Sequence, residues 1–291
     1  MKNMKYDIDQ MHYLVLHIGE ATCAGNWNYK NVCSPFTRIY YILDGTAQIM
    51  LADEILQLIP GHMYIIPAFI QHSCICAGKF RHFYIHIYND ADHDMLEDWE
   101  LPHQIVAPSD ILPLIRELYN LCPGMALVHT DPQSYDNSSS LNMSIQKNKQ
   151  RDVYVRVMSR GIIYRILAEF LKGAKPKEYV YDSRIAKVVQ HIRMNIGARP
   201  DLDELASISC MSKDHLTRIF RREMKVTPLS YYCKKKMEKA QLRLVTETIS
   251  VKEIALQLGY DDQAYFNRIF KKFTGMSPSA YRKNYQGRAF E

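Results

Sequence analysis

Hydrophobic and polar positions change period along the chain. Between residues 10 and 90, short runs rich in Ile, Tyr, Val and Phe alternate with turn formers. Ile39-Tyr40-Tyr41-Ile42-Leu43 runs into Asp44-Gly45, a hairpin signal, and Ala47 to Leu51 returns. Ile55 to Ile59, Met63 to Ile66, a run ending near Ala77, and Phe80 to Tyr88 follow, punctuated by Pro60-Gly61 and Pro67. Six or more short antiparallel strands predict a closed β structure, which removes exposed edges.

After residue 108 the period becomes helical. Ser109 is a natural cap for a stripe of Ile111, Leu112, Ile115, Leu118, Tyr119 and Cys122. Met125 to Val128 extends it as a further short element. His129 to Asp152 is rich in Ser, Asn, Gln and Asp, a composition that predicts a mobile loop. Val153 to Lys172 is a second long helix with Val157, Ile163, Ile166, Leu167 and Phe170 inward. Gly173 to Asp182 reads as a linker, and Ser183 caps the next helix.

The last third repeats with a period near 50. Leu205-Ala206 returns as Ile254-Ala255, Arg218-Ile219-Phe220 as Arg268-Ile269-Phe270, and Thr227-Pro228 with Tyr231 as Ser277-Pro278 with Tyr281. Each copy reads as helix, tight turn, helix. Asp201 is a plain N-cap, whereas Ser250 with Glu253 makes a capping box. The alanines suit helices that cross closely after a short turn. The second copy turns at Gly259, and its second helix runs from about Asp262 to Phe273 with Phe266, Ile269 and Phe270 inward. The first copy's second helix starts near Ser212 and buries Leu216, Ile219 and Phe220. Thr227 and Pro228 start a connecting helix that continues to about Thr246. Nineteen residues give a rod of roughly 28 Å, close to one turn of B-DNA.

Charge sharpens this division. The chain has 291 residues and a net charge of +6. From Ser183 onward there are 21 Lys/Arg against 11 Asp/Glu, a net of +10, which leaves −4 for residues 1–182. A basic third suits a polyanion. The exposed faces of the two second helices carry Lys213, Asp214, His215, Thr217, Arg218, Arg221 and Arg222, and Gln263, Ala264, Asn267, Arg268, Lys271 and Lys272. Amides, hydroxyls and guanidinium groups early in a helix suit base edges, and basic groups later in it suit phosphates. Double-stranded DNA is the expected partner. No apolar run approaches 18 residues, and Met1 to Gln10 lacks an apolar signal core, so a cytoplasmic protein without a membrane segment is expected. Seven cysteines without a CxxC predict thiols rather than disulfides or structural zinc, with Cys74 and Cys76 in the core.

Residues 183–285 resemble the tandem helix-turn-helix domain of AraC/XylS-family transcription regulators. The carrying residues are Leu205-Ala206, Arg218-Ile219-Phe220, Ile254-Ala255, Gly259-Tyr260, Tyr265-Phe266, Arg268 to Lys272, Gly275, Ser277-Pro278 and Tyr281-Arg282. The resemblance implies base contacts from Asp214, Thr217 and Arg218, and from Gln263, Ala264, Asn267 and Arg268. One departure is Lys225, where the family usually has Gly. Residues 10–105 resemble the family's cupin-like sensor barrel through Asp44-Gly45, Pro60-Gly61, Pro67 and His72.

The expected architecture is therefore α+β and multidomain: a cupin-like antiparallel β-barrel over residues 1–105, helices over 106–172 with a mobile loop at 129–152, a linker at 173–182, and an all-α tandem helix-turn-helix domain over 183–291. The resemblance implies a small-molecule effector, with Trp27, Tyr29, Arg38, Tyr40, His72, His82 and Tyr84 as candidate ligand-binding residues; Arg38 suits a carboxylate or a sugar hydroxyl. It also implies a homodimer through the stripe 111–122 and helix 153–172, and RNA polymerase as a partner of an activator. No catalytic residue, metal or cofactor is expected. The first metal motif of cupins is missing, and in the second Phe69 replaces the usual Gly. Two alternatives stay open: a metal-dependent cupin enzyme fused to a DNA-binding domain, and a ligand-free regulator controlled by a protein partner.

Overall fold

The computed structural model describes residues 11–89, 94–136, 138–176, 183–198, 201–247 and 249–286. Residues 177–182 of the expected linker lie outside this set, as does the Ser183 side chain. The chain divides into two compact units, residues 1–136 with 140–175, and residues 176–291 with 137–139.

The first unit holds strands β1 (Tyr13–Ala24), β2 (Tyr29–Val32), β3 (Thr37–Gly45), β4 (Ala47–Met50), β5 (Ile55–Leu58), β6 (His62–Ile66), β7 (His72–Ile75), β8 (Lys79–Asn89) and β9 (Gln104–Val106). They form a five-stranded sheet in the order β1-β8-β3-β6-β9 and a four-stranded sheet in the order β2-β7-β4-β5. The antiparallel sheet domain is as expected and is compatible with a cupin-like jelly roll, but the sheets do not close into the expected barrel. Asp44-Gly45 is a corner rather than a hairpin: β3 pairs with β8 and β6, and β4 pairs with β5 and β7. Gly45 has φ +74° and a Cβ there would lie 2.0 Å from the Lys79 carbonyl oxygen, so the corner requires glycine. Pro60-Gly61 makes a second crossing between the sheets.

Alternation along the strands builds two cores. Ile39, Met63, Ile65, Phe83, Ile85 and Ile87 face helices α1 (Ile111–Leu121) and α4 (Val153–Lys172), where they meet Ile111, Ile115, Leu118, Ile163, Ile166 and Phe170. Each such fully buried side chain contributes about 2 kcal/mol. The opposite faces enclose Cys23, Trp27, Tyr40, Ile42, Ile49, Leu58, Tyr64, Cys74, Cys76 and Phe80. On α4, Val157 is 64% exposed rather than inward; burial on that helix begins at Ser159, two residues further on. Met125 to Val128 forms no regular element. The expected loop at 129–152 instead contains α2 (Pro132–Tyr135) and α3 (Ser138–Lys149). Leu141, Ser144, Ile145 and Asn148 bury one face of α3, and Asn148 Nδ2 donates to the Val15 carbonyl of β1.

The second unit is helical: α5 (Ser183–Met194), α6 (Leu202–Ser209), α7 (Lys213–Met224), α8 (Pro228–Thr246), α9 (Val251–Gln257), α10 (Gln263–Thr274) and α11 (Pro278–Gln286). The caps follow local chemistry. Ser212, Thr227 and Asp262 each accept from a backbone N–H of the following turn, and Ser250 with Glu253 completes the capping box. Ile185, Val188, Leu205, Leu216, Phe220 and Tyr231 fill the first core. Ile254, Leu258, Phe266, Phe270, Met237, Ala240 and Leu244 are buried in the second copy and the linking helix α8.

Two turns carry opposite expectations. Gly259 has φ +71° and a Cβ there would meet the Gly197 carbonyl oxygen at 2.4 Å. Gly259→Ala is expected to lower the unfolding free energy of this unit by about 2 kcal/mol or more. Lys225 holds φ +61° at the C-terminus of α7, a conformation that costs a side-chain-bearing residue roughly 1–2 kcal/mol. Lys225→Gly is expected to stabilise by up to about 1 kcal/mol once glycine's own backbone entropy is subtracted. Thermal unfolding checks both; an unchanged Gly259→Ala or a destabilised Lys225→Gly contradicts this reading.

Candidate nucleic-acid interface and sensor interior

Helices α7 and α10 present the expected basic faces. Asp214, Thr217, Arg218, Arg221 and Arg222 line one open, shallow recess on α7. Arg218 donates to His215 Nδ1 at 3.2 Å, which points its guanidinium along the helix. Lys213 instead pairs with Asp203 of α6 at 2.7 Å, and Arg222 pairs with Glu223 at 2.8 Å. On α10, Ala264, Arg268, Lys271 and Lys272 are exposed, Gln263 and Asn267 half-buried. The Arg268 guanidinium sits 5.2 Å over the Tyr265 ring, a cation–π contact one turn earlier on the same helix. The Asn267 Oδ1 is buried without a partner.

The interior of the first unit is polar as well as apolar. Arg38, on the inward face of β3, is 2% exposed. Its Nη2 donates to Asp136 Oδ2 at 2.9 Å and to Ser34 Oγ at 2.5 Å, and its Nη1 donates to the Tyr135 hydroxyl at 2.6 Å. Phe36 and Tyr135 lie 5.0 and 5.4 Å from the guanidinium carbon. Such a charge is tolerated inside only when paired and hydrogen-bonded.

Next to it, Ala21, Cys23, Trp27, Tyr40, His82, Tyr84, His86, Leu127, Thr130 and Tyr135 line a cavity of about 20 Å³. The structure thus brings together four of the expected ligand residues, Trp27, Tyr40, His82 and Tyr84. Tyr29 and His72 do not line it. Tyr29 donates to Thr130 Oγ1 at 3.2 Å, and His72 Nδ1 lies 3.0 Å from the Ile70 carbonyl. The Tyr84 hydroxyl accepts from Leu127 N at 2.8 Å; it crosses β1 at Gly19, where a Cβ would lie 2.2 Å from it.

Composition hid the part played by residues 127–136. Leu127, from the expected short element, and Thr130, Tyr135 and Asp136, from the stretch that reads as a polar loop, close the site. Phe69, in the glycine position of the cupin motif, takes φ +61°. Among the described residues no three or more His, Cys, Asp or Glu side chains converge as metal ligands, and no helix is long and apolar enough to cross a membrane.

Hydrogen-bond logic fixes the histidine tautomers. Arginine can only donate, so His86 Nε2 accepts from Arg38 Nη1 at 3.2 Å. His86 Nδ1–H then donates to His17 Nδ1 at 3.3 Å, and His17 Nε2–H donates to Ser144 Oγ of α3 at 3.3 Å. Burial first, and Arg38 second, push His17 down to about 3 and His72 to about 4. Burial alone pushes His82 to about 3, and burial with Arg38 holds His86 well below the usual imidazole range.

All four stay neutral in the folded unit, whereas the unfolded chain protonates them near pH 6.5. Their stabilisation is therefore complete above pH 6.5 and is lost as pH falls from 6.5 toward 4, by at most about 1.4 kcal/mol per histidine per pH unit. Thermal unfolding of the sensor between pH 7.5 and 4.5 should show a falling midpoint, and His82→Phe should flatten the slope. A flat wild-type profile would contradict it.

Two family models match in order along the chain. One described as an AraC-like ligand binding domain covers residues 15–141, and one described as a helix-turn-helix domain covers residues 205–284. The chain is 33% identical over 102 residues to the arabinose operon regulatory protein of Salmonella typhimurium, covering 35% of this chain and 36% of that protein. It thus spans about a third of that relative's length. It is 20% identical over 292 residues to the Msm operon regulatory protein of Streptococcus mutans, covering 97% and 96% of the two. The C-terminal domain of AraT, a response regulator from Geobacillus stearothermophilus, aligns at 31% identity and a TM-score of 0.34, over 34% of this chain and 84% of that one. With a sensor domain and a tandem helix-turn-helix unit matched in that order, this chain belongs to the AraC family of regulators.

Proposed function

We propose that the protein is a sequence-specific DNA-binding transcription regulator whose activity is set by a small molecule in the sensor. The carrying observation is the pair of capped helices α7 and α10, each with an exposed basic face, joined through the 19-residue helix α8. At 1.5 Å per residue that helix is about 28 Å long, a length suited to two reading helices in successive major grooves. Arg218 and Arg268 are assigned to base edges, with Thr217, Gln263 and Asn267 beside them. Arg221, Lys271 and Lys272 are assigned to phosphates. Asp214 accepts from a cytosine amino group in this scheme. Lys213, His215, Arg222 and Ala264 complete the surface, though the ion pairs of Lys213 and Arg222 reduce their share.

The relatives are named as operon regulators, which favours a regulator over an enzyme. The half-uncovered start of α4, where Val153, Tyr154 and Val157 are all more than 60% exposed, is the surface we assign to a homodimer. An activating protein would also touch RNA polymerase.

Selection of duplexes from a random-sequence library, followed by gel-shift titration at several salt concentrations, tests the reading. The logarithm of the affinity for selected duplexes should fall linearly with the logarithm of salt. Arg268→Ala should cost about 1–3 kcal/mol on the selected duplex and relax base preference. Lys271→Ala should weaken binding to all sequences about equally and lower the salt slope by about one. Failure to enrich any duplex would sink the proposal.

A further inference from the structure

The buried guanidinium of Arg38 draws its counter-charge from outside the strands that hold it. Asp136 lies 98 residues away, at the end of α2, and is itself buried. The same stretch supplies the Tyr135 hydroxyl to Arg38, and Leu127, Thr130 and Tyr135 to the cavity wall. At about 20 Å³ the cavity holds no more than a water molecule, so any larger guest must move this stretch. The enclosed polar groups are also incompletely matched. Arg38 Nε, His72 Nε2 and His82 Nδ1 are buried without a partner. Arg38 Nη2 faces both Asp136 oxygens, at 2.9 and 3.2 Å, while the Nε–H finds no acceptor.

We propose that Arg38 is the anion-binding centre of the sensor, and that Asp136 occupies it as a built-in stand-in for the carboxylate of a small organic acid. The proposal rests on the reading of the first unit as an effector domain and names the chemical class of that effector. The acid's apolar body would lie among Trp27, Tyr40, Tyr84 and Tyr135 after the 127–136 stretch has left. One buried carboxylate replaces another at Arg38, so the charge is never left alone. A carboxylate that takes the Nε–H as well makes a hydrogen bond that Asp136 does not. Arg38, His86, His17 and Ser144 form one chain of hydrogen bonds that links the anion site to α3. The acid therefore favours the open arrangement by binding it alone, which is the condition for shifting a population.

Carboxylate rescue tests this without knowing the effector. The full chain carrying Asp136→Ala should unfold several degrees below wild type, since a buried charge has lost its partner. Asp136→Asn keeps the side chain's size and serves as the second variant should the first fail to fold. Formate at tens of millimolar, against chloride at equal ionic strength, should raise the midpoint of either variant saturably by about 3 °C or more. It should leave the Arg38→Met/Asp136→Ala double variant unmoved. Equal shifts by formate and chloride, or no formate shift, overturn the proposal. Gel shifts on selected duplexes separate the two readings. DNA binding without formate rescue overturns only the anion site, and rescue without DNA binding overturns only the regulatory role.

Discussion

Two short helices can read one duplex in register only if the distance between them is fixed, and α8 imposes that constraint on the second unit. Thr227 caps it and Pro228 occupies its first turn, so its start is set by local chemistry. Along its length Met237, Ala240 and Leu244 are fully buried, so it is also a wall of the packed core. Lys236 is buried too, with its ammonium 4.7 Å from the Tyr232 ring and 4.4 Å from the Tyr260 ring. Tyr260 follows the turn of the second copy, so this cation ties the rod to the turn that aims α10. The close approach of Gly259 to the Gly197 backbone serves the same end.

The first unit solves a different problem. Its outer sheet face buries aliphatic side chains against α1 and α4, as any stable core does. Its inner face keeps an arginine, four histidines and a carboxylate away from water. Apolar residues of similar size would make a simpler core at little loss of stability, because buried ion pairs roughly break even with them. A buried pair whose anion is delivered from a separate stretch can, however, be exchanged. The low dielectric that makes an unpaired Arg38 costly also makes its choice of partner decisive. In the proposed reading, sensor and reader follow one logic: rigidity where DNA is measured, and an exchangeable contact where a signal enters.

Much of this was legible in the amino-acid sequence, and the pattern of success is physical. The starts of α7, α8, α9 and α10 were readable because capping is a contact between residues two or three apart, as with Ser250 and Glu253. The strands were readable because alternation is local. Gly45 marked a turn correctly, but the turn joins two sheets, and which strands pair afterwards is a long-range matter. α3 was missed because only Leu141 and Ile145 supply its apolar face. Ser144 and Asn148 are buried through hydrogen bonds to β1 that composition does not reveal. The Arg38–Asp136 pair was missed for the same reason, since only the fold brings those residues together. The reading-helix residues were placed by pattern, but the pairing of Lys213 with Asp203 was not visible in it.

The central claim is that two helix-turn-helix units of one chain read two adjacent major grooves. Hydroxyl-radical footprinting of the full chain on a library-selected duplex addresses it most directly. The account predicts two protected tracts on one face of the DNA, about 10 base pairs apart centre to centre, with the tract under α10 lost in Arg268→Ala. A single tract, or protection that does not change with that substitution, would contradict it.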